Sequence, residues 1–197
     1  MHDYLTLVTA PAAEPLSSAD VKLNLRIDTT DEDDTTDRLI ATARRTCENW
    51  LTRRLINSTW DYVLPCFPGN SLTPIVIPFP NLSSVTIVTY FDEDNSSTTW
   101  SSSLYSTVTP AGDNADKGWV VPIVDGEYPA TASRLDAVTI RHVAGYGSAE
   151  TDVPDDIQTG MHLLISHLFE NREAVMGSQS ELPMGVRALW DDYVSEW

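Results

Sequence analysis

The acidic loop at residues 28–37 holds the densest group of side chains that could bind a metal ion. It contains six acids, and carboxylate oxygens are the ligands that Ca²⁺ prefers. A twelve-residue calcium loop counted from Asp31, however, puts Thr36 where a glycine is needed and Thr42 where a bidentate glutamate is needed. We therefore interpret these acids as favourable charges at the start of the following helix, and we predict no metal site.

The histidines and glycines do not form the patterns of known catalytic sites. His162 and His167 are five residues apart, so on a helix they point in different directions and make a poor metal pair. His142 falls in a predicted strand, where a structural histidine is favoured over a catalytic base. The sequence contains neither a Gly-x-Ser-x-Gly motif nor a glycine-rich phosphate loop. We predict a protein that is not an enzyme and needs no cofactor, and we keep a hydrolase using acids near His142 as an alternative.

A group of arginines is the second candidate for function. Five arginines but a single acid fall within residues 38–54. On an ideal helix over 34–55, Arg38, Arg45 and Arg53 share the arc opposite the apolar residues. In a chain with a formal net charge of −17, this face predicts a surface that binds an acidic partner, such as a neighbouring copy. A solvated face, with cations favourably placed near the helix C-terminus, is the alternative.

The C-terminal segment carries the third candidate site. In a helix predicted over 184–196, the apolar side chains fall on one face. This face either packs on the core of the chain or docks into a groove of another protein. We predict docking, because chain termini are seldom core. The docking candidates are Leu189, Trp190, Tyr193 and Trp197.

The order of the predicted helices and strands indicates an α+β protein that is mainly a helical bundle with an inserted antiparallel β-module. Residues 1–56 form an N-terminal arm and two helices of the bundle, and residues 57–143 form the module. Residues 144–197 form a core helix and the docking helix, which pack with 1–56 as one helical domain. The helices are predicted near 17–27, 34–55, 155–173 and 184–196, and one of the strands is predicted over Thr99–Val108.

Composition narrows the classes of function. The net charge argues against general affinity for nucleic acid or anionic membranes. No signal peptide pattern or apolar run of membrane-spanning length occurs, which predicts a protein made in the cytoplasm. Cys47 and Cys66 are predicted to be buried free thiols.

An ordered set of short motifs runs along most of the chain. The set comprises Leu16-Ser17, Lys22, Leu25-Arg26-Ile27-Asp28, Leu39-Ile40-Ala41-Thr42-Ala43-Arg44, Glu48, Thr59-Trp60, Pro80-Asn81-Leu82-Ser83-Ser84-Val85, Ala137-Val138-Thr139-Ile140, Ala144-Gly145-Tyr146-Gly147, Val153-Pro154-Asp155-Asp156-Ile157 and Arg172-Glu173. In this order the motifs resemble the head–tail connector (adaptor) family of long-tailed bacteriophages and gene transfer agents. One departure is Thr52-Arg53-Arg54, since relatives often have a glycine before the basic residue.

The resemblance implies a structural virion protein at the head–tail junction, or neck. Such a protein forms a ring of about a dozen copies on the portal, extends the DNA channel and provides the attachment site for the next neck or tail component. The implied partners are the portal protein, neighbouring copies, a stopper or tail-side neck protein, and DNA that passes without specific binding; no membrane is implied. The alternative function is a carbohydrate-binding or receptor-binding β-module of a virion.

Overall fold

The computed structural model describes residues 3–171 and 182–195. The chain divides into two compact units. The first, which we call the β unit, is formed by residues 1–11 and 57–146. The second, the helical unit, is formed by residues 12–56 and 147–197.

The helical unit begins with α1, which spans Ser18–Leu25. Ser17 caps this helix, because its hydroxyl accepts a hydrogen bond from the Asp20 backbone N–H at 3.2 Å. The Ser17 hydroxyl also donates to the Asp20 carboxylate at 2.6 Å. Leu16 and Val21, on either side of the cap, are both buried. The predicted start of a helix near residue 17 is confirmed.

Three further α-helices are described in the helical unit. They are α2 over Asp33–Leu51, α3 over Asp155–Glu170 and α4 over Met184–Trp190. α3 begins after Pro154, with Asp155 and Asp156 in its first turn, as predicted from the dipole preference. The prediction for this helix continues to residue 173, and residues 172 and 173 lie outside the described part of the chain.

Helix α2 ends four residues before the predicted end at residue 55. Thr52 adopts a left-handed conformation with φ 54°, which stops the helix and which glycine adopts most easily. The Thr52 hydroxyl donates a hydrogen bond of 2.5 Å to the Ser195 carbonyl oxygen, and the Ser195 N–H donates to the Leu51 carbonyl oxygen at 3.1 Å. These bonds hold a non-glycine residue in a conformation that glycine adopts most easily.

The β unit contains two antiparallel sheets. Five strands pair in the order β1-β2-β8-β4-β5, and three pair in the order β3-β7-β6. The strands are β1 Tyr4–Thr9, β2 Ser58–Leu64, β3 Ile75–Pro80, β4 Leu82–Phe91, β5 Ser97–Trp100, β6 Tyr105–Val108, β7 Lys117–Pro122 and β8 Val138–Ala144. An aromatic cluster of Phe67, Tyr90, Trp100, Tyr105 and Tyr128 lies in or against its core.

The prediction of a mainly helical bundle is wrong. Helices make up 31% and strands 28% of the described residues, so the protein is α+β with two substantial sheets. The segment read as an N-terminal arm contains β1, which pairs with β2. The predicted strand over Thr99–Val108 is two strands in different sheets, because residues 101–104 form a turn.

Candidate assembly surfaces

The exposed side of α2 presents two of the three predicted interface arginines. Arg38 and Arg45 are exposed. Thr42, which lies between them, and Asn49, one turn beyond Arg45, are exposed as well. The four residues follow one another at helical spacing along a stripe that begins one turn after the exposed Asp34. Within residues 3–171 and 182–195, the Arg38 guanidinium donates only to its own helix, at 3.2 Å to the Asp34 carbonyl oxygen and 3.4 Å to the Thr35 hydroxyl. We call this stripe of Arg38, Thr42, Arg45 and Asn49 the basic stripe.

Arg53, the third predicted interface arginine, is not on this stripe. Arg53 lies beyond the end of α2 and is only 3% exposed. Its Nε–H donates a hydrogen bond of 2.5 Å to the Tyr193 carbonyl oxygen. The helical wheel grouped it with Arg38 and Arg45 because that wheel continued to residue 55. The structure gives Arg53 a role in holding the C-terminal segment, and its interface role stays a prediction.

Arg44 and Arg54 surround the buried carboxylate of Glu48. Glu48 accepts hydrogen bonds from Arg44 Nη1 at 3.3 Å, Arg54 Nη1 at 3.1 Å and the Leu55 N–H at 3.1 Å. Arg44 also forms a two-point ion pair with Glu14, at 2.7 and 3.2 Å. Burial lowers the pKa of Arg44, but hydrogen bonds and Coulombic attraction from Glu14 and Glu48 outweigh it and raise that pKa overall. This ion cluster therefore serves the fold of the helical unit.

The predicted docking residues that the structure describes lie largely in the core of the helical unit. The prediction of a continuous helix over 184–196 is wrong, because α4 ends at Trp190 and Tyr193 lies in a short 3-10 turn after it. Trp190 is completely buried, and its indole N–H donates to the Ile157 carbonyl oxygen at 3.2 Å. A Cβ on Gly160 would come within 2.9 Å of Trp190 Cδ1, so α3 needs a glycine where the indole packs. Tyr193 is 8% exposed. Leu189 is half-buried, and Trp197 lies outside the described residues. Docking through these side chains stays a prediction.

A notch on the helical unit carries acidic groups near the basic stripe. Its volume is about 410 Å³, and it is lined by Glu14, Leu16, Ser18, Asp37 and Ile40. The Ser18 hydroxyl donates to the exposed Asp37 carboxylate. This acidic notch combines the apolar side chains of Leu16 and Ile40 with the Asp37 carboxylate, whereas the Glu14 carboxylate is already held by Arg44. The combination suits the aliphatic stem and charged head of an arginine or lysine. The sequence analysis missed it because residues 14 and 37 meet only in the fold.

Most acids of the β unit lie outside its strands. Residues 57–146 contain nine acids and three basic residues. One of these, Arg141, forms a two-point ion pair with Asp61 across β8 and β2, with both bonds at 2.8 Å. Another, Arg134, pairs with Asp136 and lies 3.5 Å from the centre of the Phe91 ring. The exposed acids at the turns are Glu93, Asp94, Asp113, Asp116, Asp125 and Glu127.

Possible metal ligands and the two cysteines are the remaining candidates for chemistry. Among the described residues, no group of three or more His, Cys, Asp or Glu is placed to hold a metal ion. Cys47 is buried, and burial raises the pKa of its thiol well above the usual value. Cys66 is free but exposed, so the prediction of two buried thiols is wrong for Cys66. In the described part of the chain, no helix is both long and apolar enough to cross a membrane.

His142 is buried in the five-stranded sheet. Its Nδ1 lies 3.3 Å from the Ile140 carbonyl oxygen, and burial lowers its pKa below 6.5. Because the unfolded chain binds this proton more readily, the stabilising effect of neutral His142 is complete above pH 6.5. It is lost as the pH falls below 6.5 towards the folded pKa.

We expect His142→Gln to flatten the pH dependence of stability below pH 6.5. The reduction in slope is up to about 1.4 kcal/mol per pH unit, the linkage value for one proton. Urea unfolding of both proteins at several pH values measures it. His162→Gln is the comparison variant, and it should flatten the slope in the same direction, because burial also lowers the pKa of this half-buried histidine. An unchanged slope in His142→Gln contradicts the assignment.

The fold of the chain also occurs in gene transfer agent particles. A solved structure of the neck of an empty gene transfer agent particle, computed with C6 symmetry, contains a chain that matches with a TM-score of 0.78 and 20% identity, over 98% of this chain and 96% of that one. The virion of a native gene transfer agent particle contains a match with a TM-score of 0.76, 20% identity and the same coverage.

A third match gives the same result. It lies in the neck of a native gene transfer agent particle computed with C12 symmetry, with a TM-score of 0.69, 18% identity and coverage of 98% and 96%. A scan against protein-family models finds no match, and a search among curated proteins finds none. The resemblance seen in the sequence is thus confirmed for the fold, which this chain shares with chains of gene transfer agent particles over almost its whole length.

Proposed function

We propose that this chain is a structural neck protein of a phage-like particle, located at the head–tail junction. The observation that carries the proposal is the fold match over nearly the full length of both chains. A match in both units, with no large part left over on either side, favours the same kind of role in the particle. A structural role also agrees with side chains that are tied into ion pairs and core contacts.

The finer proposal is that of an adaptor that forms a ring on the portal. A cyclic ring needs two different, complementary surfaces on each subunit. The basic stripe and the acidic notch are candidates for such a pair within one helical unit, because one carries exposed Arg38 and Arg45 and the other carries the exposed Asp37 carboxylate. In the ring, the stripe of one copy faces the notch of the next, and the ring receives a stopper or tail-side protein on its other side.

The charge of the β unit supports a role beside moving DNA. Exposed acids at its turns, such as Asp94 and Asp125, repel the phosphate backbone. A channel wall of this charge lets DNA slide without binding. Carbohydrate binding has less support, because Trp100, which could stack on a sugar, is buried against Tyr105 and Tyr128.

Electron microscopy of portal-bearing particles, with and without the purified chain, tests the proposal. We expect added protein to appear as a ring at the portal. Particles that bind no protein there, or a mature neck that lacks this chain, contradict the adaptor role. A glycan array is the companion test, and strong sugar binding would favour the alternative function.

We expect Arg45→Glu to weaken ring formation by about tenfold or more while leaving the fold intact. The new carboxylate would face the acidic notch of the next copy, and like charges across an interface are unfavourable. At an exposed position, the free energy of unfolding should change by about 0.5 kcal/mol or less. Ring occupancy on portal-bearing particles and urea unfolding measure the two effects.

Two variants control for this result. Arg26→Glu makes the same charge change at an exposed position in α1's C-terminal cap and should assemble normally. Arg45→Glu combined with Asp37→Arg should recover part of the assembly if stripe and notch meet. Normal ring formation by Arg45→Glu would show that the basic stripe is not an interface.

A further inference from the structure

Strand β1 forms an open edge of the five-stranded sheet. It pairs with β2 on one side, and no strand of the described chain lies on its other side. Five of its six residues are exposed. The exposed apolar side chains are Tyr4 at 52%, Leu7 at 46% and Val8 at 42%. Since neighbouring residues of a strand point to opposite faces, β1 presents apolar groups on both faces as well as an unpaired backbone edge.

Over residues 4–7, before its register shift, this edge lacks the usual protection against pairing with another chain. Native edge strands are typically protected by charged side chains, prolines or bulges. Tyr4–Thr9 contains no charged residue and no proline, whereas edge strand β3 contains Pro78 and Pro80. The pairing with β2 is regular from Tyr4 to Leu7 and shifts register only between Leu7 and Thr9. The regular part of β1 is therefore a template for a further strand.

The opposite edge of the same sheet is also open and uncharged. It is formed by β5, Ser97–Trp100, which pairs with β4 only. Every neighbouring pair in the order β1-β2-β8-β4-β5 is antiparallel. With an odd number of strands, β1 and β5 run in the same direction. Rotation by about 30° between neighbours in a twelvefold ring largely preserves strand direction, so β5 of one copy meets β1 of the next in parallel.

The high negative charge of the chain favours contact between two copies at these uncharged strand edges. Each copy has a formal net charge of −17, so most pairs of surfaces repel. β1 and β5 carry no charge, and pairing them satisfies backbone groups that otherwise face water. Their apolar and threonine side chains also suit a strand that is covered on both faces.

We propose that neighbouring copies join by strand pairing between β5 of one copy and β1 of the next, so that the sheet continues from subunit to subunit. This inference rests on the proposed function, because it assigns part of the interface of the proposed ring. The partner is a second copy of this chain, and the contact is formed mainly by backbone hydrogen bonds. It lies in the β unit and is separate from the basic stripe of the helical unit.

The test uses two edge variants and a matched control. Leu7→Lys blocks the β1 edge and Thr99→Lys blocks the β5 edge, since edge lysines oppose strand addition. Val124→Lys makes the apolar-to-lysine change at a residue that is 90% exposed and outside the strands. Sedimentation velocity in about 0.5 M NaCl, which screens the repulsion between copies, measures self-association of the full chain up to about 1 mM. Urea unfolding verifies that each variant is folded.

We expect the original chain and Val124→Lys to associate, and each edge variant to associate at least about tenfold more weakly, which corresponds to about 1.4 kcal/mol. A 1:1 mixture of the two edge variants should form a heterodimer and stop there, because only one intact β5–β1 contact is available. Amide NMR shifts on raising the concentration should concentrate in Tyr4–Thr9 and Ser97–Trp100.

Three results would overturn the inference. They are a chain that stays monomeric at 1 mM, edge variants that associate like the control, and a mixture that forms no heterodimer. Microscopy separates this failure from failure of the proposed function. A ring at the portal built normally from both edge variants leaves the neck role standing and removes the strand pairing.

Discussion

Replacing Trp190 with alanine should lower the free energy of unfolding by about 3–5 kcal/mol. The side chain is completely buried, and its indole N–H satisfies the Ile157 carbonyl oxygen at 3.2 Å. Truncation leaves a cavity beside Gly160, where α3 approaches closely, and leaves that carbonyl without its indole donor. Urea unfolding, followed by the circular dichroism of the helices, measures the loss.

Leu189→Ala is the control on the same helix. Leu189 is half-buried, so its truncation should lower stability by clearly less than that of Trp190. A Trp190→Ala protein as stable as the original chain would show that the indole does not hold α4 in place. Trp197→Ala tests docking separately, because that candidate lies outside the described residues. Lost portal binding with unchanged stability in Trp197→Ala would support the docking prediction.

Glu48→Gln should lower the free energy of unfolding by about 3–5 kcal/mol, the range for removing one partner of a buried ion cluster. The substitution keeps the shape of the side chain but removes the charge that faces Arg44 and Arg54. Side-chain exposure of Glu48 is only 5%, so water compensates little of the lost interaction. The measurement is urea unfolding at neutral pH in low and high salt.

Glu14→Gln is the matched control, because Glu14 pairs with the same Arg44 but its side chain is 38% exposed. At this exposure we expect a loss of about 1 kcal/mol or less, which salt should reduce further. Equal losses in the two variants would mean that burial does not strengthen the ion cluster. A Glu48→Gln protein with unchanged stability would contradict its central place in the helical unit.

Local signals in the sequence predicted the helix starts well. Ser17 with Asp20, and Pro154 with the two aspartates after it, satisfy backbone donors and the helix dipole within a few residues, so the sequence alone contains the cause. The end of α2 was missed because Thr52 is held in its left-handed conformation by bonds to Ser195, which is far away in the sequence. A helical wheel cannot detect such a bond.

Long-range pairing accounts for the other misses. Nothing local indicates that Tyr4–Thr9 pairs with β2, and the helical share of the fold was overestimated partly for this reason. Among the candidate interface residues, Arg38 and Arg45 are exposed as the wheel predicted. Arg53 and Trp190 became core residues, because the polypeptide around each folds back on distant segments.

The division of the chain between its two units sets an order of events during translation. The β unit is complete once residue 146 has left the ribosome, whereas α1 and α2, made much earlier, pack against α3, which starts at Asp155. The first two helices therefore wait with their apolar sides uncovered while about a hundred residues are synthesised, a matter of several seconds at ordinary elongation rates. During this interval the N-terminal helices of the nascent chain can bind chaperones or assemble incorrectly. A run of slowly translated codons before residue 155 would lengthen the interval.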